Sequence, residues 1–209
     1  MRVLVACEFS GIVRDAFLER GHEAMSCDLL PTERPGPHYQ GDVLGILGDG
    51  WDLMVAHPPC TYMSNAGVRH LHSIPSRNGV LPKVHGEERW AAMRDGAALF
   101  SALLNAPIPR VAVENPIMHR YAIAEIGRRQ DQVVQPWMFG DPQKKAVGLW
   151  LRNLPLLLAT GPICEDRVPL VHRMSPSPDR SKKRSVFFPG IAAAMADQWG
   201  SLALDRDAA

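Results

Sequence analysis

The sequence has no long apolar run and no paired-cysteine motif. No stretch approaches the roughly 18 apolar residues that a membrane span needs, and the apolar run in MRVLVACEFSG is only about five residues, too short for a signal-peptide core. The four cysteines, Cys7, Cys27, Cys60 and Cys164, are widely spaced, and no two of them form a CxxC pair. We therefore expect a soluble, cytoplasmic protein with reduced thiols.

An excess of either charge is also absent. There are 23 basic and 22 acidic residues, which gives a formal net charge of +1. This balance neither indicates nor excludes a nucleic-acid partner, because a local basic patch can exist within a neutral total. The length of 209 residues predicts a single domain, and 46% hydrophobic residues suffice for an ordinary globular core.

Strand and helix patterns alternate along the chain. Short apolar runs predict strands at 2–7, 22–30, 51–59 and 109–116, and periodic apolar positions predict helices at 12–21, 86–107 and 188–204. The proline-rich segment 30–42 predicts a loop. Two late strands are expected at 133–140 and 148–155, paired as a hairpin. This order predicts an α/β fold with a mostly parallel sheet and helices on both faces.

Three of the predicted strands end in residues capable of chemistry. The segments are CEFSG after the first strand, HPPC after the third and ENP after the fourth. Ligands of parallel sheets bind beyond the carboxyl ends of the strands. We therefore expect the three segments to meet at one edge of the sheet.

Two long stretches, 64–85 and 161–185, have no regular pattern, and both are basic. Loops of this length are usually functional or disordered. The cations are Arg69, Arg77 and Lys83 in the first stretch, and Arg173, Arg180, Lys182, Lys183 and Arg184 in the second. No metal site is expected, because His70, His72, Cys164 and His172 lack the spacing of metal ligands.

The segment Phe9-Ser10-Gly11 connects a predicted strand to a predicted helix. Gly11 would let the backbone approach a small cofactor, and the helix start would offer free N–H groups. Without a GxGxxG pattern, an ordinary strand-to-helix turn is the favoured interpretation of these residues alone. Asp28 and Asp42 are candidates for ligand binding, with turn capping as the alternative.

Cys60 follows two prolines and precedes small and polar residues. Pro58 and Pro59 stiffen the approach to the cysteine, and a loop position favours a reactive thiol over the buried, inert state common for free cysteines. Glu114 ends a buried strand, where a carboxylate is costly unless it binds a partner. Capping of a following helix is the alternative for Glu114.

These segments, in this order, resemble the C5-cytosine methyltransferase family. The resemblance lies in FSG (9–11), PPC (58–60), ENP (114–116), FGDPQKKAVGLWL (139–151) and PGIAAAMADQW (189–199). It implies a Rossmann-like S-adenosylmethionine-dependent methyltransferase fold, S-adenosylmethionine as the cofactor, and methylation of cytosine carbon 5 in DNA through a covalent Cys60 adduct.

The resemblance also implies three sets of site residues. The catalytic set is Pro59, Cys60, Glu114, Asn115, Lys144 and Lys145. The cofactor-binding set is Phe9, Ser10, Gly11, Asp28, Asp42 and Pro58. The substrate- or phosphate-binding set is Ser64, Arg69, Gln143, Arg173, Arg180, Lys182, Lys183 and Arg184.

A short basic insert at 161–187 stands where the family has a larger target-recognition domain. Three hypotheses therefore remain open. In the first, the substrate is DNA, and sequence specificity is low or recognition is supplied by another subunit or a homodimer. In the second, the substrate is a free cytosine nucleotide. In the third, the protein binds S-adenosylmethionine or nucleic acid and catalyses no reaction.

Overall fold

In a computed structural model, which describes residues 1–161, 163–165, 167–169, 175, 177 and 180–203, seven strands form one sheet. The strands are β1 Arg2–Ala6, β2 Glu23–Asp28, β3 His38–Gln40, β4 Leu53–Ala56, β5 Arg110–Pro116, β6 Gln132–Val134 and β7 Val147–Arg152. Their order across the sheet is β3-β2-β1-β4-β5-β7-β6.

Five strands of this sheet run parallel. β1 pairs in parallel with β2 and β4, and β3 and β5 continue the parallel set on the two sides. β7 is antiparallel to both β5 and β6, so the predicted late hairpin is confirmed. The carboxyl ends of β1, β2, β4 and β5 therefore meet at one edge, as the sequence predicts.

Helices cover both faces of the sheet. They are α1 Ile12–Leu18, α2 Gly86–Leu104, α3 Arg120–Ile126, α4 Arg180–Ser185 and α5 Pro189–Gly200. Successive side chains of a strand point to opposite faces of the sheet and so enter two separate hydrophobic cores. Val3 and Val5 pack with α1 and α5, and Leu4 packs on the other face with α2. Each large side chain fully buried in this way contributes about 2 kcal/mol. This architecture confirms the predicted α/β, Rossmann-like fold with a mostly parallel sheet and helices on both faces.

Several predicted boundaries are wrong. α1 ends at Leu18 rather than residue 21, α2 ends at Leu104, and the closing helix ends at Gly200. The strand predicted at 133–140 stops at Val134, because Pro136 lacks the N–H that a ladder needs and begins a 3-10 helix, Pro136–Phe139. The segment predicted as loop at 30–42 contains β3, whose residues pair with the end of β2.

Some short elements have no counterpart in the prediction. α3 and the 3-10 helix Val43–Gly45 were not expected, and the stretches expected to be irregular contain the 3-10 helix Asn65–His72 and α4. α3 is only seven residues long, and its ends are defined by a His119 side-chain cap and by Gly127 at φ +73°. None of the helices within the described residues is both long and apolar enough to span a membrane.

Candidate active site

A cavity of about 860 Å³ lies beyond the carboxyl ends of the parallel strands. Its volume is within the range of small-molecule sites. Residues at and beyond the carboxyl ends of β1, β2, β4 and β5 form its walls. Further lining residues are Lys145, Ala146, Ser177, Arg180, Arg184, Ser185 and Phe187. Of the predicted site residues, the cavity walls contain Phe9, Ser10, Asp28, Pro58, Pro59, Cys60, Ser64, Glu114, Lys145, Arg180 and Arg184.

On the β1 side, the buried Glu8 carboxylate caps the start of α1. Its Oε1 accepts hydrogen bonds from the Val13 N–H at 2.8 Å and from the Ser10 hydroxyl at 2.9 Å. Cys7, with a left-handed φ of +57°, turns the chain just before Glu8. The expectation that this helix start offers free N–H groups is therefore wrong, because the protein's own carboxylate occupies it.

Gly11 accommodates a buried arginine. The Arg14 side chain is fully buried, and its guanidinium donates to the Ser26 hydroxyl and to the carbonyls of Arg34 and Pro35. A Cβ at Gly11 would lie 2.6 Å from Arg14 Nη2, and Gly11 has φ +75°. Gly11 thus leaves room for the Arg14 guanidinium beside the turn, and it is not among the described residues that line the cavity.

The two candidate aspartates have different positions. Asp28 lines the cavity at the end of β2, and its Oδ1 accepts from the Leu30 N–H at 2.9 Å. Asp42 caps the 3-10 helix Val43–Gly45 by accepting from the Leu44 N–H at 3.0 Å. The capping alternative therefore describes Asp42, which is absent from the described cavity wall.

The loop that carries Cys60 is fixed on both sides. The Asn115 side chain is buried and donates to the Pro58 carbonyl at 3.0 Å. The Cys60 carbonyl accepts from the N–H groups of Met63 and Ser64, at 3.1 and 3.0 Å. Asn115, predicted as catalytic, therefore positions the loop from β5 and does not itself line the described cavity wall.

The Cys60 thiol has a raised pKa. Burial is the main cause, and the negative charge of Glu114 adds to it. Lys145 and Arg184 act in the opposite direction and lower the pKa. Cys7, in the same cavity, has its pKa raised to about 12 by burial and by the charge of Asp28. Cations therefore oppose the effect of burial at Cys60, whereas the charges that act on Cys7 add to it.

His57 is the functional candidate that the sequence analysis missed. Its Nδ1 lies 3.2 Å from Glu114 Oε2, and the two side chains are exposed by only 9% and 10%. The His57 Nε2 and Glu114 Oε1 are buried without a partner among the described residues. Both residues line the cavity. The signal in the sequence was a histidine directly after a fully apolar strand, at the same level as Glu114 in the next strand.

Basic residues close the cavity on the side opposite the strands. Lys145 donates to the Arg184 carbonyl at 3.1 Å, and both residues line the cavity together with Arg180. Lys182 instead forms an ion pair with Glu33 at 2.7 Å and lies over the Phe9 ring. The segment around α4 therefore lies over the cavity and is held to its β1 side.

The remaining predicted residues lie elsewhere. Lys144 is exposed, Gln143 pairs with Val168 in an isolated bridge, and Lys183 is exposed on α4; none of the three is on the described cavity wall. Arg69 lines a separate groove. Arg173 is outside the described residues. Within those residues, no group of three His, Cys, Asp or Glu side chains is placed to hold a metal ion.

Known proteins show little similarity to this chain. No family model matches the chain, and no curated protein is detectably similar to it. One similar solved structure is a proposed DNA modification methyltransferase encoded within an E. coli prophage, at 14% identity and a TM-score of 0.43, covering 72% of this chain and 46% of that chain. The chain thus spans less than half the length of that structure.

Proposed function

We propose that this protein transfers a methyl group from S-adenosylmethionine to carbon 5 of cytosine in DNA. The observation that carries the proposal is the placement of Cys60 and Glu114 in one cavity, at the carboxyl ends of the adjacent parallel strands β4 and β5. A thiol nucleophile beside a carboxyl group that can hold the edge of a base is the minimum that this chemistry requires.

The residues on the β1 and β2 side of the cavity fit the proposed cofactor. S-adenosylmethionine carries a sulfonium, an ammonium, ribose hydroxyls and an adenine. Glu8 and Asp28 place two carboxylates in this wall, and Leu30 and Pro58 supply apolar surface. Asp28 ends the second strand, where a carboxylate suits ribose hydroxyls. When bound, the cofactor would supply an electrophilic methyl group.

Cys60 is assigned as the nucleophile. Its sulfur gives up the thiol proton to solvent and adds to C6 of cytosine. The C5–C6 double bond becomes single, and its electrons form the C4–C5 double bond of an enamine whose C5 is nucleophilic. Once C5 carries the methyl group, its proton is removed. The S–C6 bond then breaks, its electrons return to sulfur, and the C5–C6 double bond is restored.

Glu114 is assigned to the polar edge of the base. Its Oε1 is buried without a described partner, so it is available to the amino group or to N3 of cytosine. N3 gains a proton when sulfur adds to C6, and a carboxyl group next to it can supply that proton. His57 holds Oε2 and thereby orients the carboxyl group.

Lys145 and Arg184 are assigned to the charge balance. Both lower the Cys60 pKa, which opposes the effect of burial and of Glu114. They therefore increase the fraction of thiolate, the form that attacks. Because Arg180 and Arg184 line the same cavity, they are also placed to bind the phosphate of the reacting nucleotide.

This last placement favours a second candidate, methylation of a free cytosine nucleotide. A free nucleotide needs only a base pocket and a phosphate site, and both lie within one cavity here. The two candidates share every role assigned to Cys60 and Glu114.

A labelling experiment tests the proposal and separates the candidates. The protein is incubated with methyl-labelled S-adenosylmethionine and, separately, with duplex DNA, single-stranded DNA and deoxycytidine monophosphate. We expect label in DNA with the wild type and with Cys164→Ser, whose thiol lies outside the described cavity wall, and none with Cys60→Ser. Label in the monophosphate alone would favour the second candidate. Label in no substrate would favour a non-catalytic binding protein.

A trapping experiment tests the covalent step. The protein is incubated with S-adenosylmethionine and an oligonucleotide that carries fluorine at C5 of cytosine. After methyl transfer C5 has no proton to lose, so the Cys60 adduct should persist and add the oligonucleotide's mass to the protein. Methylation without any trapped adduct would contradict the assignment of Cys60.

A further inference from the structure

A second depression, of about 480 Å³, lies beside the cavity. We call it the flanking groove, defined by Asn65, Arg69, His72, Arg120 and Tyr121. Asn65 lines both the flanking groove and the cavity, five residues after Cys60. The two spaces are therefore neighbours, and a chain-like ligand in one can continue into the other.

The floor of the flanking groove is aromatic. The Tyr121 ring lies 4.9 Å from the Trp90 ring and 5.6 Å from the His72 ring, both in edge-on geometry. Tyr121 is only half-buried, so part of it remains available to a ligand. Aromatic side chains of this kind provide stacking platforms for nucleobases.

The rim of the flanking groove is cationic. Arg69 and Arg120 are both exposed, and the Arg120 guanidinium lies 4.7 Å from the Tyr121 ring centre. Among the described residues that line the groove, none is acidic. Guanidinium groups beside aromatic rings suit a ligand with both phosphates and bases.

The flanking groove and the Cys60 loop are held together. His119 accepts a hydrogen bond from the Ala122 N–H through Nδ1, so its Nε2 carries the proton and donates to the Tyr62 carbonyl at 2.9 Å. The Asn65 N–H also donates to the Ile117 carbonyl at 3.2 Å. A ligand spanning both spaces would thus meet walls in a fixed relative position.

We propose that the flanking groove binds a nucleotide adjoining the target cytosine in a single DNA strand. This inference rests on the proposed function for the identity of the target base. It concerns whether the substrate is a nucleic-acid strand or a free nucleotide, and not the reaction at that base. A free nucleotide would place its one base and its phosphate in the cavity and would leave the groove unused. A strand has further bases for Tyr121 and further phosphates for Arg69 and Arg120.

Equilibrium binding tests the groove without requiring catalysis. A fluorescein-labelled, cytosine-containing single-stranded oligodeoxynucleotide is titrated with protein, and its anisotropy gives the affinity at several salt concentrations. The double variant Arg69→Gln/Arg120→Gln should bind at least tenfold more weakly. The slope of log affinity against log salt should decrease in magnitude by about 1.4, because single strands contribute about 0.7 per phosphate contact. Tyr121→Leu should weaken binding by about tenfold, and Tyr121→Phe should retain most of it.

Arg129→Gln is the matched control, because this exposed arginine is on neither the groove wall nor the described cavity wall and should leave affinity and salt slope unchanged. The two arginine single variants provide the same test if the double variant folds poorly. Equal affinity and slope for wild type and groove variants, or no binding of the oligonucleotide by wild type, would overturn the inference. Groove-dependent binding by a wild type that methylates no DNA would overturn the proposed function alone and leave the inference about the groove standing.

Discussion

His57 Nδ1 and Glu114 Oε2 lie 3.2 Å apart and join the ends of β4 and β5 inside the cavity. The contact engages one oxygen of the carboxyl group and leaves Oε1 without a described partner. It therefore distinguishes the two oxygens of Glu114: His57 contacts Oε2, and Oε1 is the oxygen that the proposed function assigns to the base.

Replacing His57 should mainly reduce turnover. His57→Ala would leave Glu114 Oε2 buried and unpaired, at a cost of about 1–3 kcal/mol, which corresponds to a loss of about 5- to 150-fold if it falls on the transition state. His57→Asn restores a donor near the Nδ1 position and should recover part of the rate. Steady-state kcat and KM for an oligonucleotide, measured from pH 6 to 9, check this.

His22→Gln is the control for that series, since His22 precedes β2 at the far edge of the sheet. It should leave kcat and the pH profile unchanged. An unaltered kcat in folded His57→Ala would show that the histidine does not act through Glu114.

Alkylation should reveal the opposing charges around Cys60. Glu114 raises the pKa of the thiol, so Glu114→Gln should lower it and accelerate labelling by iodoacetamide at pH 8. Lys145 lowers that pKa, so Lys145→Met should raise it and slow the labelling. The rate is followed by peptide mass spectrometry.

Cys7 is an internal reference in the same experiment. It lines the same cavity, but its pKa of about 12 should leave it unlabelled while Cys60 reacts. Labelling of Cys7 before Cys60, or equal rates in the Glu114 and Lys145 variants, would contradict the electrostatic account.

The residues of the site that stand at the carboxyl ends of parallel strands could be predicted from the sequence. Cys60 and Glu114 each follow a buried apolar run, and parallel strands bring such positions to one edge. The cavity accordingly contains both residues. The same reasoning placed Asp28 correctly in the cavity wall.

The parts that depend on contacts between distant side chains could not be predicted. Nothing near Glu8 in the sequence indicates that its carboxylate would occupy the start of α1, and the Lys182–Glu33 pair joins residues far apart in the chain. Asp28 and Asp42 are equal candidates in the sequence, and only the fold places Asp28 in the cavity wall and Asp42 at the start of a 3-10 helix away from the described wall. Short elements such as α3 lack enough turns to show a helical period.

Gly11 should be required for stability as well as for the site. In Gly11→Ala the new Cβ would meet the guanidinium of the buried Arg14, at a residue with φ +75°. We expect a loss of about 2 kcal/mol in the free energy of unfolding, from the left-handed backbone and the displaced Arg14 together. Urea denaturation measures it.

Gly45→Ala is the matched control for Gly11, because its added Cβ meets nothing within 4 Å. It should change stability little. If Gly11→Ala is as stable as the wild type, the close approach of Arg14 to Gly11 does not constrain the turn.

His119 should make stability depend on pH above the range where carboxylates titrate. Burial lowers its pKa from the ordinary value of 6.5, so the unfolded chain binds a proton more readily than the folded protein. The stability that neutral His119 contributes is therefore present above about pH 6.5 and is lost as pH falls from there through the lower folded pKa. Urea denaturation of the wild type and His119→Asn between pH 8 and 5 checks this, since asparagine keeps a helix cap but does not titrate. The wild type should lose more stability than the variant over that interval.

His22, whose pKa is also lowered by burial, leaves a residual dependence of stability on pH in both proteins. Parallel curves for the wild type and His119→Asn would mean that His119 is protonated without cost.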